Sequence, residues 1–239
     1  QLPDWLYPAF KGKTIDEPET IKNPHTASHN PYAQFRKPRT LEQVLASTKV
    51  AGDLTALQCT PRGEGAAAVL VASEDAITRL GIDRSRAVRV PSSAACSEDP
   101  AQDGPAIVEM VRNSARAALE EAAIGPRDLD LVELHDAFSV EELLYTEAIG
   151  LCEPGSAAQY LRRGASAIGG ACAVNASGGL IGMGHPLGPT GIGQVAEITR
   201  QLRGEAGSRQ HPNARLGLAH MIGLGSVAVA HVLASEANA

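Results

Sequence analysis

The 239-residue chain has no basic excess: 21 lysines and arginines stand against 27 acidic residues, a formal charge of −6 and a pI near 5.7. Nucleic-acid and membrane-surface proteins display a basic face, so this balance argues against both. No apolar run approaches the roughly 20 residues needed to cross a bilayer, and the segment 216–234 is punctuated by glycine. The start, Gln1-Leu2-Pro3-Asp4-Trp5, has neither the basic opening nor the apolar core of a signal peptide. It also lacks an initiator methionine, as expected of a sequence that begins mid-chain. Cys59, Cys96, Cys152 and Cys172 are widely spaced, with no Cys-x-x-Cys pair to suggest zinc or a redox motif. Reduced thiols in a cytoplasmic protein, with no metal and no resident cofactor, are therefore expected.

A 44% hydrophobic content is ample for a globular core. Residues 1 to about 40 carry little periodicity and read as loop. Thr40 suits the N-cap of a helix over 41–47, and 54–59 reads as extended. Ala66 to Ala72 is a continuous small-apolar run, expected to be a buried strand. Ser73 caps a helix that Gly81 stops, and Ala87 to Val90 reads as a strand. Ile107, Val108, Val111, Ala115, Ala118, Leu119 and Ala122 give the 105–123 helix one apolar face. Leu129 to Leu134 is the next strand, followed by a helix over 140–149 that Gly150 ends. A helix over 191–203 and two strands, 216–220 and 226–232, joined as an antiparallel hairpin at Gly223-Leu224-Gly225, complete an α/β pattern.

Three strings carry chemistry. The first runs from Asn175 through Ser177, Gly178, Gly179, Gly182, Gly184, His185, Pro186 and Thr190 to Gly191. Its bare glycines allow a ligand or a second backbone to come close, and Pro186 restricts the histidine before it. The second, His135-Asp136-Ala137-Phe138, stands between a strand and a helix, where α/β proteins place catalytic groups. A helix-capping histidine is an equal alternative there. The third is Leu218-Ala219-His220-Met221-Ile222-Gly223-Leu224-Gly225.

Together these strings resemble the thiolases, and the sterol-carrier-protein-x branch in particular. Asn-x-Ser-Gly-Gly-Leu followed by Gly-His-Pro-x-Gly-x-Thr-Gly is similar to that family's signature. Lys22-Asn23-Pro24-His25 ahead of Asn30-Pro31-Tyr32-Ala33-Gln34 resembles the branch's loop domain over coenzyme A. The resemblance implies an α/β fold of layered α/β/α type, with an incomplete first half-domain and a complete C-terminal half-domain. It divides the chain into a loop domain over 1–50, the end of an N-terminal domain over 51–85 and a C-terminal domain over 86–239. It implies that His185 lies beside a reactive cysteine and that His135 helps form an oxyanion hole. His220 is a possible substitute for the cysteine that ordinary thiolases carry in the third string, and a core histidine is its alternative. Lys22, Asn23, His25, Asn175, Ser177, Gly178, Met221 and Gly223 are the implied acyl-CoA contacts, the last two through backbone amides.

None of the four cysteines stands in the context of the family's nucleophile. The expected protein is thus part of a thiolase acting on 3-oxoacyl-CoA or acetyl-CoA, inactive alone, with coenzyme A as substrate. A homo- or hetero-oligomer with a chain supplying the N-terminal half is the expected partner. The alternatives are a thiolase-like retro-aldolase on CoA-linked side chains and a non-catalytic acyl-CoA-binding subunit.

Overall fold

A computed structural model describes residues 19–99, 106–223 and 226–236. The first 18 residues, Pro105 and the Leu224-Gly225 connection lie outside that range. The centre is a five-stranded mixed sheet of β3 (Val88–Ser97), β4 (Leu131–Glu133), β5 (Ala173–Val174), β6 (Leu216–Gly223) and β7 (Val227–Ser235), in the order β3-β7-β6-β4-β5. β6 and β7 pair antiparallel from Leu216↔Ala234 to Gly223↔Val227, as the hairpin reading expects. β4 is parallel to both β5 and β6. β3 runs the same way as β4 but is separated from it by two strands, β7 and β6.

Each face of the sheet is covered. Val132, Leu134, Leu218 and Val232 pack with α4 (Ala106–Glu121) and α5 (Ser139–Ile149) in one core. Leu131, Ala219 and Leu233 pack with Ile198 and Leu202 of α8 (Thr190–Leu202) in another. The result is the α/β/α layering that the resemblance implies. β3 extends seven residues beyond the expected Val90, and its ladder to β7 slips between Arg89 and Ser92. Pro91 sits in that slip on an edge strand, where a missing N–H is tolerated.

The N-terminal part departs from expectation in two places. Residues 19–28 form a helix, α1 (Glu19–Ser28), in spite of Pro24 inside it. Tertiary packing explains this: an alanine-sized atom on Gly178 or Gly182 would lie 2.5 Å from the Ala27 side chain. The glycines thus let α1 lie directly on α7 (Gly179–Met183), and the second backbone they admit is this helix. The other departure is 66–72, which forms no strand and pairs with nothing among the described residues, leaving Leu70 and Val71 exposed. A strand needs a neighbour for its backbone groups, and none is present there. Between these segments α2 (Leu41–Leu45) starts at Thr40 with a reciprocal capping box to Gln43. It precedes a two-stranded ladder of β1 (Lys49–Ala51) and β2 (Leu54–Thr55). α3 (Glu74–Arg79) opens where Ser73 accepts the Ala76 N–H. The short α6 (Ala157–Arg162) was not foreseen.

Candidate active site

β4 ends at Glu133, and the chain passes through Leu134, His135 and Asp136 into α5. His135 therefore stands at the carboxyl end of a parallel strand, the usual ligand position in open α/β sheets. Asn175 holds this loop by accepting the Leu134 N–H on its Oδ1 at 2.9 Å. From the other side, α7 and Pro186 bring in His185. The two rings meet edge to face, with centroids 5.2 Å apart and planes at 89°. Both line a cavity of about 1000 Å³ bounded by α4, α5, α8 and the ends of β6 and β7.

The tautomer of His185 follows from its partner. Thr190 gives its only hydroxyl proton to the Pro186 carbonyl at 2.7 Å, so its oxygen accepts from His185 Nδ1 at 2.9 Å. Nε2 then carries the lone pair. His135 Nδ1 lies 3.3 Å from the Met221 sulfur. A thioether only accepts, so Nδ1 bears the proton here too. Burial and the neighbouring His185 and His220 push His135 down to about 3, and burial lowers His185. Both imidazoles are neutral at physiological pH, and each has an unprotonated Nε2.

His220 is a correction. It is fully buried, does not line the cavity, and contacts Ser114 Oγ through Nε2 at 3.0 Å. Burial pushes it down to about 4. Of its two readings, the core histidine is the observed one.

Lys22 and Asn23 are corrected as well. The Lys22 ammonium meets Glu142 at 3.0 Å, the Val174 carbonyl at 2.7 Å and Asn23 Oδ1 at 2.6 Å, which uses its three protons. Asn23 Nδ2 donates to Asp136 and Glu142, each at 2.7 Å. These groups pin α1 behind the histidines and leave nothing for a phosphate. His25 is exposed on α1, edge-on to His29. Ser177 binds the Glu133 carboxyl through its N–H at 2.9 Å and its hydroxyl at 2.5 Å. Gly178 serves α1 packing. Asn175, Ser177 and Gly178 thus support the cavity from outside its wall.

Met221 and Gly223 do line the cavity. Their amides, however, belong to the β7 ladder. Arg215 C=O accepts from Ser235 on β7 and Leu216 C=O from Asp130 on the β4 side, which fixes the alternation along β6. By that parity the Ile222 amide faces the side left open beyond Glu133↔Ala219, where β4 stops.

Three features lay outside the sequence reading. Thr190, in the expected string but without a role, sets the His185 tautomer. Residues 59–62 run alongside both loops: Cys59 bridges Phe138, Thr60 N–H donates to the Ala137 carbonyl at 2.8 Å, and Arg62 bridges His185. Glu141 lines the cavity. None of the four cysteines does, and burial raises the thiols of Cys59, Cys152 and Cys172.

Residues 93–235 match the thiolase C-terminal domain-like family. The chain is 42% identical over 214 residues to sterol carrier protein 2 of Oryctolagus cuniculus, covering 87% of this chain and 39% of that protein. It is 43% identical over 217 residues to the acetyl-CoA acetyltransferase of Methanothermobacter thermautotrophicus, covering 89% and 56%. The chain therefore spans between 39% and 56% of the length of these relatives. Among solved structures, the Ltp2-ChsH2(DUF35) aldolase superposes with a TM-score of 0.77 at 20% identity, covering 98% of this chain and 64% of that one, a likeness of fold. Among the described residues no helix is long and apolar enough to cross a membrane.

Proposed function

Because the chain belongs to the thiolase family, we propose that it is the C-terminal part of an acyl-CoA C-acyltransferase that cleaves or forms 3-oxoacyl-CoA, with coenzyme A as a substrate. The observation that carries this is the convergence of His135 and His185 at 5.2 Å on one cavity wall. His185, with Nε2 unprotonated, is the base that takes the proton of an attacking thiol. His135 accepts a hydrogen bond from a water on Nε2, and that water's second hydrogen reaches the thioester oxygen. The nucleophilic thiol comes from the N-terminal thiolase half, preceding this sequence in one chain or carried by a second polypeptide, and that half covers the exposed 66–72 run. In this arrangement 19–50 forms part of the cover over the site, 51–85 ends the first domain, and the enzyme works in the cytoplasm.

The experiment is to combine the chain with such a polypeptide and follow CoA-dependent cleavage of a 3-oxoacyl-CoA. Cleavage by the assembly and none by either part is expected. An assembled pair that binds acyl-CoA yet cleaves nothing would sink the acyl-transfer role. A retro-aldol step on a CoA-linked side chain is the second candidate, favoured by a cavity whose described lining holds histidines and two carboxyls but no thiol. Its mark is cleavage of a 3-hydroxyacyl-CoA without consumption of free CoA.

A further inference from the structure

Glu141 is a carboxyl group on the cavity wall that packing has left without a cation. It lies in the first turn of α5, 3% exposed. Its Oε2 accepts the Phe138 N–H and its Oε1 the Tyr145 hydroxyl, both at 3.2 Å. No lysine or arginine lines this cavity among the described residues. The buried cations are elsewhere, Lys22 on Glu142 and Arg209 on Glu197. The titratable groups around Glu141 are Tyr145 on its own helix and Cys59, bridged to Phe138. On the cavity wall they are His135, His185, His231 and the exposed Glu98. Burying an acid with only neutral donors costs free energy that an amide of the same shape would not. Such carboxyls gather where protons are moved.

Three of the other titratable groups on the wall are ill suited to carbon acids. His185 is committed to the thiol in the function proposed above, His135 is held as a weak base, and Glu98 stands in solvent. Burial pushes Glu141 up to about 8, with the Phe138 and Tyr145 hydrogen bonds pulling the other way. At that value it is strong enough as a base and still able to give its proton back near neutrality.

Resting on the acyl-CoA function proposed above, we infer that Glu141 is the catalytic residue that moves the proton at the α-carbon of the acyl-CoA. As the carboxylate it takes the α-proton, the C–H electron pair becomes the C=C bond of the enolate, and the charge settles on the thioester oxygen. In cleavage, the breaking C–C bond leaves its pair on the α-carbon of the departing acyl-CoA. That carbon then collects the proton from the Glu141 carboxylic acid.

The test is hydrogen exchange at the α-carbon of a short acyl-CoA in deuterated buffer, followed by proton NMR with the full chain. This exchange needs no nucleophilic thiol. The wild-type chain exchanges, with a rate that rises up to about pH 8 and then levels. Glu141→Gln loses about a hundredfold or more of the rate while its acyl-CoA affinity is retained. Glu141→Asp keeps part of the rate and so separates loss of the carboxyl from loss of the fold. Tyr145→Phe removes a bond that holds the carboxyl down, and moves the rising limb to higher pH, about tenfold in rate for each unit of displacement. Exchange by Glu141→Gln at the wild-type rate overturns the assignment, as does a wild-type chain that binds acyl-CoA and exchanges nothing. A chain that binds no acyl-CoA overturns the function beneath it as well.

Discussion

Replacing His185 with alanine in the assembled enzyme is expected to lower kcat for 3-oxoacyl-CoA cleavage by about 10³-fold, with KM little changed. The loss falls on kcat because the His185 base acts as the thiol attacks, and the apolar walls that hold the substrate remain. Thr190→Val tests the same point from behind. It preserves shape but removes the acceptor that fixes the proton on Nδ1, so the ring is free to present the wrong tautomer; about a tenfold fall in kcat is expected, on the scale of lost outer-shell partners. Since His135 and His185 touch edge to face, their alanine variants should be non-additive, the double variant costing little more than the worse single one. Full additivity would mean that the rings serve separate ends.

Thermal stability is expected to peak on the acid side of neutrality, between about pH 4.5 and 6.5, and to fall as the pH rises to 8. Burial pushes Glu133 and Glu141 from the ordinary 4.5 up to about 8, and Asp136 moves the same way. The folded chain therefore keeps protons that the unfolded chain has already released. Glu133 and Glu141 each withdraw about 1.4 kcal/mol per pH unit between about 4.5 and 8, and Asp136 acts in the same direction. His135 and His220 act oppositely. Burial lowers them from 6.5 to about 3 and about 4, so the unfolded chain gains protons below pH 6.5 that the folded one refuses. Their penalty grows as the pH falls from 6.5. Between 4.5 and 6.5 the two sets oppose each other; above 6.5 only the carboxyls act. Melting temperatures across pH 4 to 9 measure this, and Glu133→Gln should flatten the alkaline decline. A melting temperature that climbs steadily from pH 6 to 8.5 would show that these acids are ionised in the folded chain.

Local chemistry in the sequence reached the elements whose causes are local. Thr40 and Ser73 cap the helices they were expected to cap, and the α4 stripe and the β6–β7 hairpin are where their periodicity put them. His135 and His185, 50 positions apart, were legible through two specific strings. What escaped depends on distant neighbours. Nothing within 19–28 announces a helix, because the partner that makes it one is the bare surface of Gly178 and Gly182. Lys22 reads as a phosphate contact until the buried Glu142 appears beside it. The run 66–72 is apolar enough to be a buried strand, but no described strand lies beside it. Of the two readings of His220, alternation alone favours the observed one: it occupies the parity of Leu218 on β6, which points it into the core with that leucine.

The central claim is that His135 and His185 present unprotonated Nε2 atoms to one cavity that holds the acyl-CoA, His185 toward the attacking thiol and His135 toward the water that bonds the thioester oxygen. Titrating a non-cleavable thioether analogue of 3-oxoacyl-CoA into the protein, with its histidines labelled with nitrogen-15, tests it most directly. The Nε2 resonances of His135 and His185 should begin at positions typical of an unprotonated nitrogen and shift together at one saturating concentration, while His220 stays still. Saturable binding that moves neither ring, or that moves His220 alone, would contradict the account.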